Sequence, residues 1–137
     1  MTEMSATFDR DILALPQIFE FMGRFFDAAT VDPKLRFAAE LSVEEVFTNF
    51  VKYNAAGRDG IGIRLRLDRD KLSISLSDYD APRFDIMADA PEPGTDLPLD
   101  QRTPGGLGLH LVKKMMDRVD YSHENGVGTV QLSKAVS

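Results

Sequence analysis

The amino-acid sequence predicts an α+β fold, a two-layer sandwich with helices on one face of a mixed, mostly antiparallel sheet. Three observations carry that expectation. Apolar residues recur at helical spacing up to about Asn54, then alternate strictly with polar ones from Ile61 onward. A stretch with no sustained period, Asp80 to Pro104, holds five of the seven prolines. A further helical run and two short alternating runs follow it. No internal repeat interrupts this order, so residues 1–137 read as one domain with a lid loop at about 80–104.

The first helix is expected from Leu15–Pro16 to about Ala29, because Ile18, Phe19, Met22, Phe25 and Phe26 make one apolar face. Asp32 and Pro33 then supply an N-cap and a first helical residue, opening a second helix that runs to about Asn54. On it Ala39, Val43, Val46, Phe47 and Phe50 should face the core. Ile61, Ile63, Leu65 and Leu67 form one half-buried strand, and Leu72, Ile74 and Leu76 a second, joined by a turn at Asp68–Lys71. Gly105-Gly106 opens a third helix, Leu107 to about Arg118, with Leu107, Leu111, Met115 and Val119 at suitable spacing. Short strands at about 119–123 and 129–132 complete the chain around a turn at Glu124-Asn125-Gly126.

Composition removes several function classes. The chain is 43% hydrophobic and 28% charged, ordinary for a soluble globular protein. A formal net charge of −6 argues against a nucleic-acid interface, which needs a clustered basic patch. With no cysteine there are no disulfides, thiolate nucleophiles or Cys-based zinc sites, and His110 and His123 are too few for a His-rich metal site. The segment Met1–Asp11 carries Glu3, Asp9 and Asp11 and lacks the basic-then-apolar order of a secretory leader. No apolar run approaches bilayer length. A cytoplasmic protein without membrane or nucleic-acid partners is therefore expected.

Three places can carry chemistry. Glu45, Asn49 and Lys52 share one side of the second helix, nearly opposite Val43, Phe47 and Phe50. A carboxylate and an amide one turn apart can serve a hydrated magnesium ion or activate a hydroxyl. Taken on that helix alone, the three read more simply as the solvated face of an amphipathic helix. Asp78 has the parity of Leu72, Ile74 and Leu76, so the pleat aims it toward the buried side, where it needs a donor. If the strand stops one residue earlier, Asp78 is instead a turn residue facing water. The cluster Gly105-Gly106-Leu107-Gly108 opens a helix whose free amides suit phosphate oxygens, or it is a plain flexible junction. It is no P-loop, because no Gly-Lys-Ser/Thr follows. His110 reads as a half-buried packing residue and His123 as solvated near a turn.

In this order, Glu45-x-x-x-Asn49 on a helix, Asp78 at a strand end, a long loop and Gly106-x-Gly108 opening a helix, the sequence resembles the GHKL superfamily of histidine-kinase-like ATPases. Within it the chain is similar to the short bacterial anti-sigma-factor serine kinases. Glu44-Glu45-Val46-Phe47-Thr48-Asn49-Phe50-Val51-Lys52 looks like their N-box. Thr103-Pro104-Gly105-Gly106-Leu107-Gly108-Leu109-His110-Leu111-Val112 looks like their second glycine box.

The resemblance implies ATP and Mg2+ as cofactors. Glu45 would be the general base that takes the proton of a substrate serine. Asn49 would be a magnesium ligand. Lys52 would join the nucleotide-binding set, and Asp78 would accept from the adenine amine. Gly105, Gly106, Leu107 and Gly108 would cradle the phosphates beneath the lid. Thr129 would lie near adenine, and Arg102 would approach the terminal phosphate. The implied activity is that of a serine/threonine protein kinase and anti-sigma factor. It would phosphorylate an anti-sigma-factor antagonist and sequester a sigma factor. The phenylalanine-rich first helix is a candidate homodimer contact. Two departures from the family pattern, Asp80 where glycine is common and Tyr53 where histidine is common, point to an alternative: a non-catalytic partner-switching module of the same fold.

Overall fold

The computed structural model describes residues 1–53, 57–80 and 106–136. Its first element is a strand that the sequence reading does not assign, β1, Thr2–Phe8. Met4 and Ala6 are half-buried and Phe8 is buried, whereas Glu3, Ser5 and Thr7 face solvent. A 3₁₀ turn, Ile12–Ala14, follows; the Asp11 carboxylate accepts from the Leu13 N–H at 2.9 Å. Helix α1 covers Leu15–Ala28 with a proline in its first turn and buries Ile18, Phe21, Met22, Phe25 and Phe26. Phe19 is only half-buried, and Phe21 takes the place expected for it, packing edge-on against Phe8 with ring centroids 5.5 Å apart.

Helix α2 covers Pro33–Tyr53. Asp32 caps it as predicted, its carboxylate accepting from the Lys34 N–H at 2.8 Å. The hairpin follows as β2, Ile61–Leu67, and β3, Lys71–Asp78. After the undescribed segment comes α3, Gly106–Met115, then β4, Arg118–Glu124, and β5, Val127–Ala135. A two-residue loop joins the last pair, with Asn125 at φ 53° and Gly126 at φ 80°. Both angles lie in the left-handed region that such hairpin turns demand and that Asn-Gly tolerates.

The five strands form one sheet in the order β1-β2-β3-β5-β4. Every pair is antiparallel, where the sequence left room for a mixed sheet. Ile63, Leu65, Ile74, Leu76, Val130 and Leu132 form the buried face and share one core with Ile18, Phe25, Phe47 and Val112. The other face carries Ser5, Arg64, Arg66, Ser75 and Gln131, all exposed or half-buried. The two-layer expectation holds. One detail differs: Val112 on α3 and Met116 just past its end are buried, while Leu111 stays 39% exposed and Met115 half-buried. The apolar face of this short helix is shifted by one residue from the predicted stripe, because Val112 and Met116 share the inward side instead.

Gly60 fixes the entry to β2. A Cβ at Gly60 would stand 2.7 Å from the Phe8 carbonyl oxygen and 2.8 Å from Thr7 Cγ2. The backbones of β1 and the segment before β2 therefore approach as only glycine permits. Gly60→Ala should lower stability by about 1–3 kcal/mol through forced separation. The denaturant midpoint in chemical unfolding reads this, and an unchanged midpoint would contradict the close approach.

Candidate functional site

The register brings the ends of three strands together. Ile61 on β2 and Gly128 on β5 flank Asp78 on β3. Asp78 follows Leu72, Ile74 and Leu76 onto the helix-covered side and is 1% exposed, so the inward alternative is the correct one. Such a carboxylate must be compensated. Arg10 does this: Nη1 donates to Asp78 Oδ2 at 3.0 Å, and Nη2 donates to Oδ1 in an ion pair between nearly buried side chains. The Asp80 N–H donates to Asp78 Oδ1 at 3.1 Å. Arg10 Nε donates to the Asp59 carbonyl at 3.1 Å, fixing the guanidinium plane. Donating to the Asp78 carboxylate pushes the Arg10 pKa above its ordinary value, with burial opposing.

Arg10 is the site residue that the sequence reading misses. A signal existed. Met4, Ala6 and Phe8 set an inward parity that Arg10 continues just beyond the strand. Asp80, marked as a departure from the family pattern, is exposed; its Oδ2 accepts from the Arg58 N–H at 2.8 Å.

The α2 residues are not a solvated face. Asn49 has no exposure, and Glu45 and Lys52 are half-buried. Ser42 widens the covered arc of the helix beyond the expected Val46 to include Asn49. Asn49 Nδ2 donates to the Glu45 carbonyl oxygen one turn earlier, at 2.6 Å. Its Oδ1 is buried and has no hydrogen-bond partner among the described residues. Burial, with a smaller contribution from neighbouring Glu44, pushes the Glu45 carboxyl above its usual range. Burial likewise pushes the Lys52 ammonium down.

Helix α3 packs beside α2. Gly106, Leu107 and Gly108 form its first turn, where backbone N–H groups lack partners inside the helix. Gly105 and Arg102 lie outside the described residues, as does the predicted lid beyond Asp80. Thr129 requires correction. Gly128 and Val130 point into the core, so alternation sends Thr129 to the open face, where its hydroxyl meets Ser77 Oγ at 3.2 Å. It therefore stands on the opposite side of the sheet from Asp78. His110 is half-buried as expected; His123, inside β4, is also half-buried where full solvation was expected.

A magnesium ion fits one feature of this arrangement. A buried amide oxygen with no partner is a hard donor of the kind that ion takes, and an unfilled acceptor there is costly otherwise. Among the described residues no cluster of three or more His, Cys, Asp or Glu side chains could cage a metal alone. An ion at Asn49 would thus share its shell with water and with ligand oxygens.

A sequence profile of the histidine kinase-like ATPase domain matches residues 8–134. Among curated proteins, the chain is similar to the serine-protein kinase RsbW of Bacillus licheniformis, 35% identical over 101 residues, 69% of this chain and 62% of that protein. It is also similar to the RsbW of Bacillus pumilus, 32% identical over 102 residues, with 69% and 62% covered. The RsbW of Staphylococcus aureus is 32% identical over 104 residues, covering 72% and 64%. This chain spans less than two thirds of the length of these relatives. In backbone it resembles the RsbU and RsbW domains of a Mycobacterium tuberculosis protein, with a TM-score of 0.69 at 14% identity, covering 98% of this chain and 32% of that one. At that identity the likeness speaks for the fold alone.

The raised Glu45 pKa has a consequence for stability. The folded protein holds the Glu45 proton to higher pH than the unfolded chain does, so stability falls as pH rises from the ordinary value of 4.5 through the raised one. Glu45→Gln removes that loss. The variant should match wild type in acid and exceed it in stability at neutral pH, as read by urea unfolding across pH. A difference independent of pH would contradict the assignment.

Proposed function

The chain belongs to the histidine kinase-like ATPase family, and on that premise we propose that it binds ATP with Mg2+ and acts as a serine/threonine protein kinase. Its substrate in this reading is an anti-sigma-factor antagonist, and its second partner is a sigma factor that it sequesters in the cytoplasm. One observation carries the proposal: the fully buried Asn49 Oδ1, without a hydrogen-bond partner among the described residues, one helical turn from a half-buried glutamate that binds its proton more tightly than usual.

Each residue has a distinct task. Asn49 Oδ1 would hold the ion, which offsets charge on the transferring phosphoryl oxygens when bound. Glu45 would take the proton from the substrate serine hydroxyl; a base poised above the ordinary carboxylate range suits work near neutral pH. Asp78 would accept from the adenine amine. The first turn of α3, at Gly106, Leu107 and Gly108, would turn its free N–H groups to the phosphates. Lys52 on the rim of α2 would add positive charge to the same anion. Gly105 and Arg102 would complete the phosphate side, and Thr129 leaves the set.

A second reading, a partner-switching module without catalysis, is favoured by one feature. Arg10 already grips the carboxylate that would recognise the base. Calorimetry with Mg-ATP separates the two, because micromolar binding counts against a module that ignores nucleotide.

Incubation with labelled ATP and the antagonist protein tests the kinase. Glu45→Ala should cut phosphotransfer by about 10²–10⁴-fold while nucleotide binding is largely retained. Equal transfer by both proteins would remove Glu45 from the base role. Asn49→Ala should abolish the Mg2+ dependence of ATP binding in calorimetry. Magnesium-dependent binding that persists in this variant would place the ion elsewhere.

A further inference from the structure

Among the described residues Asp78 accepts three hydrogen bonds, from Arg10 Nη1, Arg10 Nη2 and the Asp80 N–H. An ionised carboxylate offers about four acceptor positions, two on each oxygen. Oδ1 takes two of these bonds and Oδ2 only one, so a single position remains, on Oδ2. The bidentate guanidinium also fixes the carboxylate plane and sets a full positive charge against both oxygens of a group that is 1% exposed.

We propose that Arg10 is a specificity-determining positioning residue: by gripping Asp78 from both oxygens it leaves one acceptor site that admits a purine bearing an amine and rejects one bearing a carbonyl. The inference rests on Asp78 facing the base of the nucleotide. Arg10 acts through Asp78 and needs no contact with the ligand.

The physical logic turns on what Asp78 becomes without its partner. A buried carboxylate with no cation beside it favours the neutral acid. The acid carries an O–H, so it donates to a carbonyl as readily as it accepts from an amine, and discrimination between the two bases disappears. The backbone N–H of Asp80 alone does not supply a full positive charge. Other ionisable groups near the pair are Asp59 and Asp80, whose charges act on Arg10, and Arg58, whose backbone binds Asp80. Glu45 and Lys52 on α2, the helix packed on β3, stay unchanged in every variant below.

The experiment measures binding of ATP and of inosine triphosphate, which carries a carbonyl in place of the amine, to the full chain across pH. Wild type should prefer ATP by at least about tenfold, because a rejected carbonyl faces an anion. That preference should be flat from about pH 6 to about pH 8.5, since a guanidinium that stays charged throughout that range faces both carboxylate oxygens. Arg10→Gln should bring the ratio close to one at the acidic end and restore it partly as pH rises. Arg10→Lys keeps the charge and loses the fork, so its ratio should lie between the two and stay flat. A ratio of affinities is read on folded protein and is insensitive to a loss of stability that only lowers the folded fraction. If Arg10→Gln and Arg10→Lys both keep the wild-type ratio at every pH while Asp78→Asn erases it, the role of Arg10 is overturned and the base-recognition reading stands. If Asp78→Asn also keeps the wild-type ratio, Asp78 does not read the base and both fail.

Discussion

A carboxylate at the end of an apolar strand face has few ways to exist. Leu72, Ile74 and Leu76 carry β3 into the core, and the pleat turns Asp78 the same way. A charge there is costly unless a countercharge and hydrogen bonds meet it, and excellent geometry is required of both. Arg10 brings the two together from the chain just beyond β1. Since β1 is an edge strand and β3 the central one, the pair ties the margin of the sheet to its middle. The close approach of Gly60 to Phe8, the Arg10 bond to the Asp59 carbonyl and the Arg58 bond to Asp80 belong to the same corner. Any ligand that reaches Asp78 therefore meets a carboxylate already oriented by its neighbours.

The second constraint is the division of the sheet into a covered and an open face. Strand alternation assigns each side chain to one of them, and a functional residue must fall on the covered side to share a cleft with the helices. Asp78 does so, and Thr129 does not, because Gly128 and Val130 hold the inward parity of β5. On α2 the covered arc takes in two polar residues without exposure, Ser42 and Asn49. An unfilled polar group in such a place costs stability, and in native proteins it marks either a ligand site or a specific structural need.

The sequence made most of the architecture legible because periodicity reports burial directly. The run of Ile61, Ile63 and Leu65 and the Asp32-Pro33 start of α2 leave little choice, and the observed elements agree within a few residues. Parity offered the inward place of Asp78 beside a turn position facing water, and the length of β3 decides between them. Other features were not legible. β1 is a short strand rich in small and polar residues, and without it the inward placement of Arg10 could not be seen. The ion pair joins positions 68 residues apart, a separation that no local pattern encodes. On α2 a helical-wheel argument centred on Val43, Phe47 and Phe50 misjudges the face of Asn49. The packing arc is broader than the expected apolar face, extended beyond Val46 by Ala38 and Ser42. For α3 the error is one residue, since a short helix gives few apolar positions to fix its phase.

The local bond on α2 explains how one helix can serve two different chemical needs. Asn49 commits its Nδ2 to the backbone carbonyl of Glu45, a hydrogen bond that the four-residue spacing makes available wherever an amide turns back on its own helix. That choice fixes which end of the amide is left over, and the end left over is the oxygen, the hard donor that a divalent cation takes. The neighbouring carboxyl at Glu45 is only half-buried, so it keeps access to a proton while burial makes it hold that proton more tightly. A neutral amide does not titrate, whereas the glutamate does, and burial moves its titration upward from the ordinary carboxylate range. One turn of helix thus separates an acceptor whose strength is independent of pH from a group whose protonation follows it. In the proposed kinase, ion binding can then stay constant over the range in which the proton acceptor becomes competent. Reversing the two side chains would bury the titrating group completely and leave the amide oxygen competing with water.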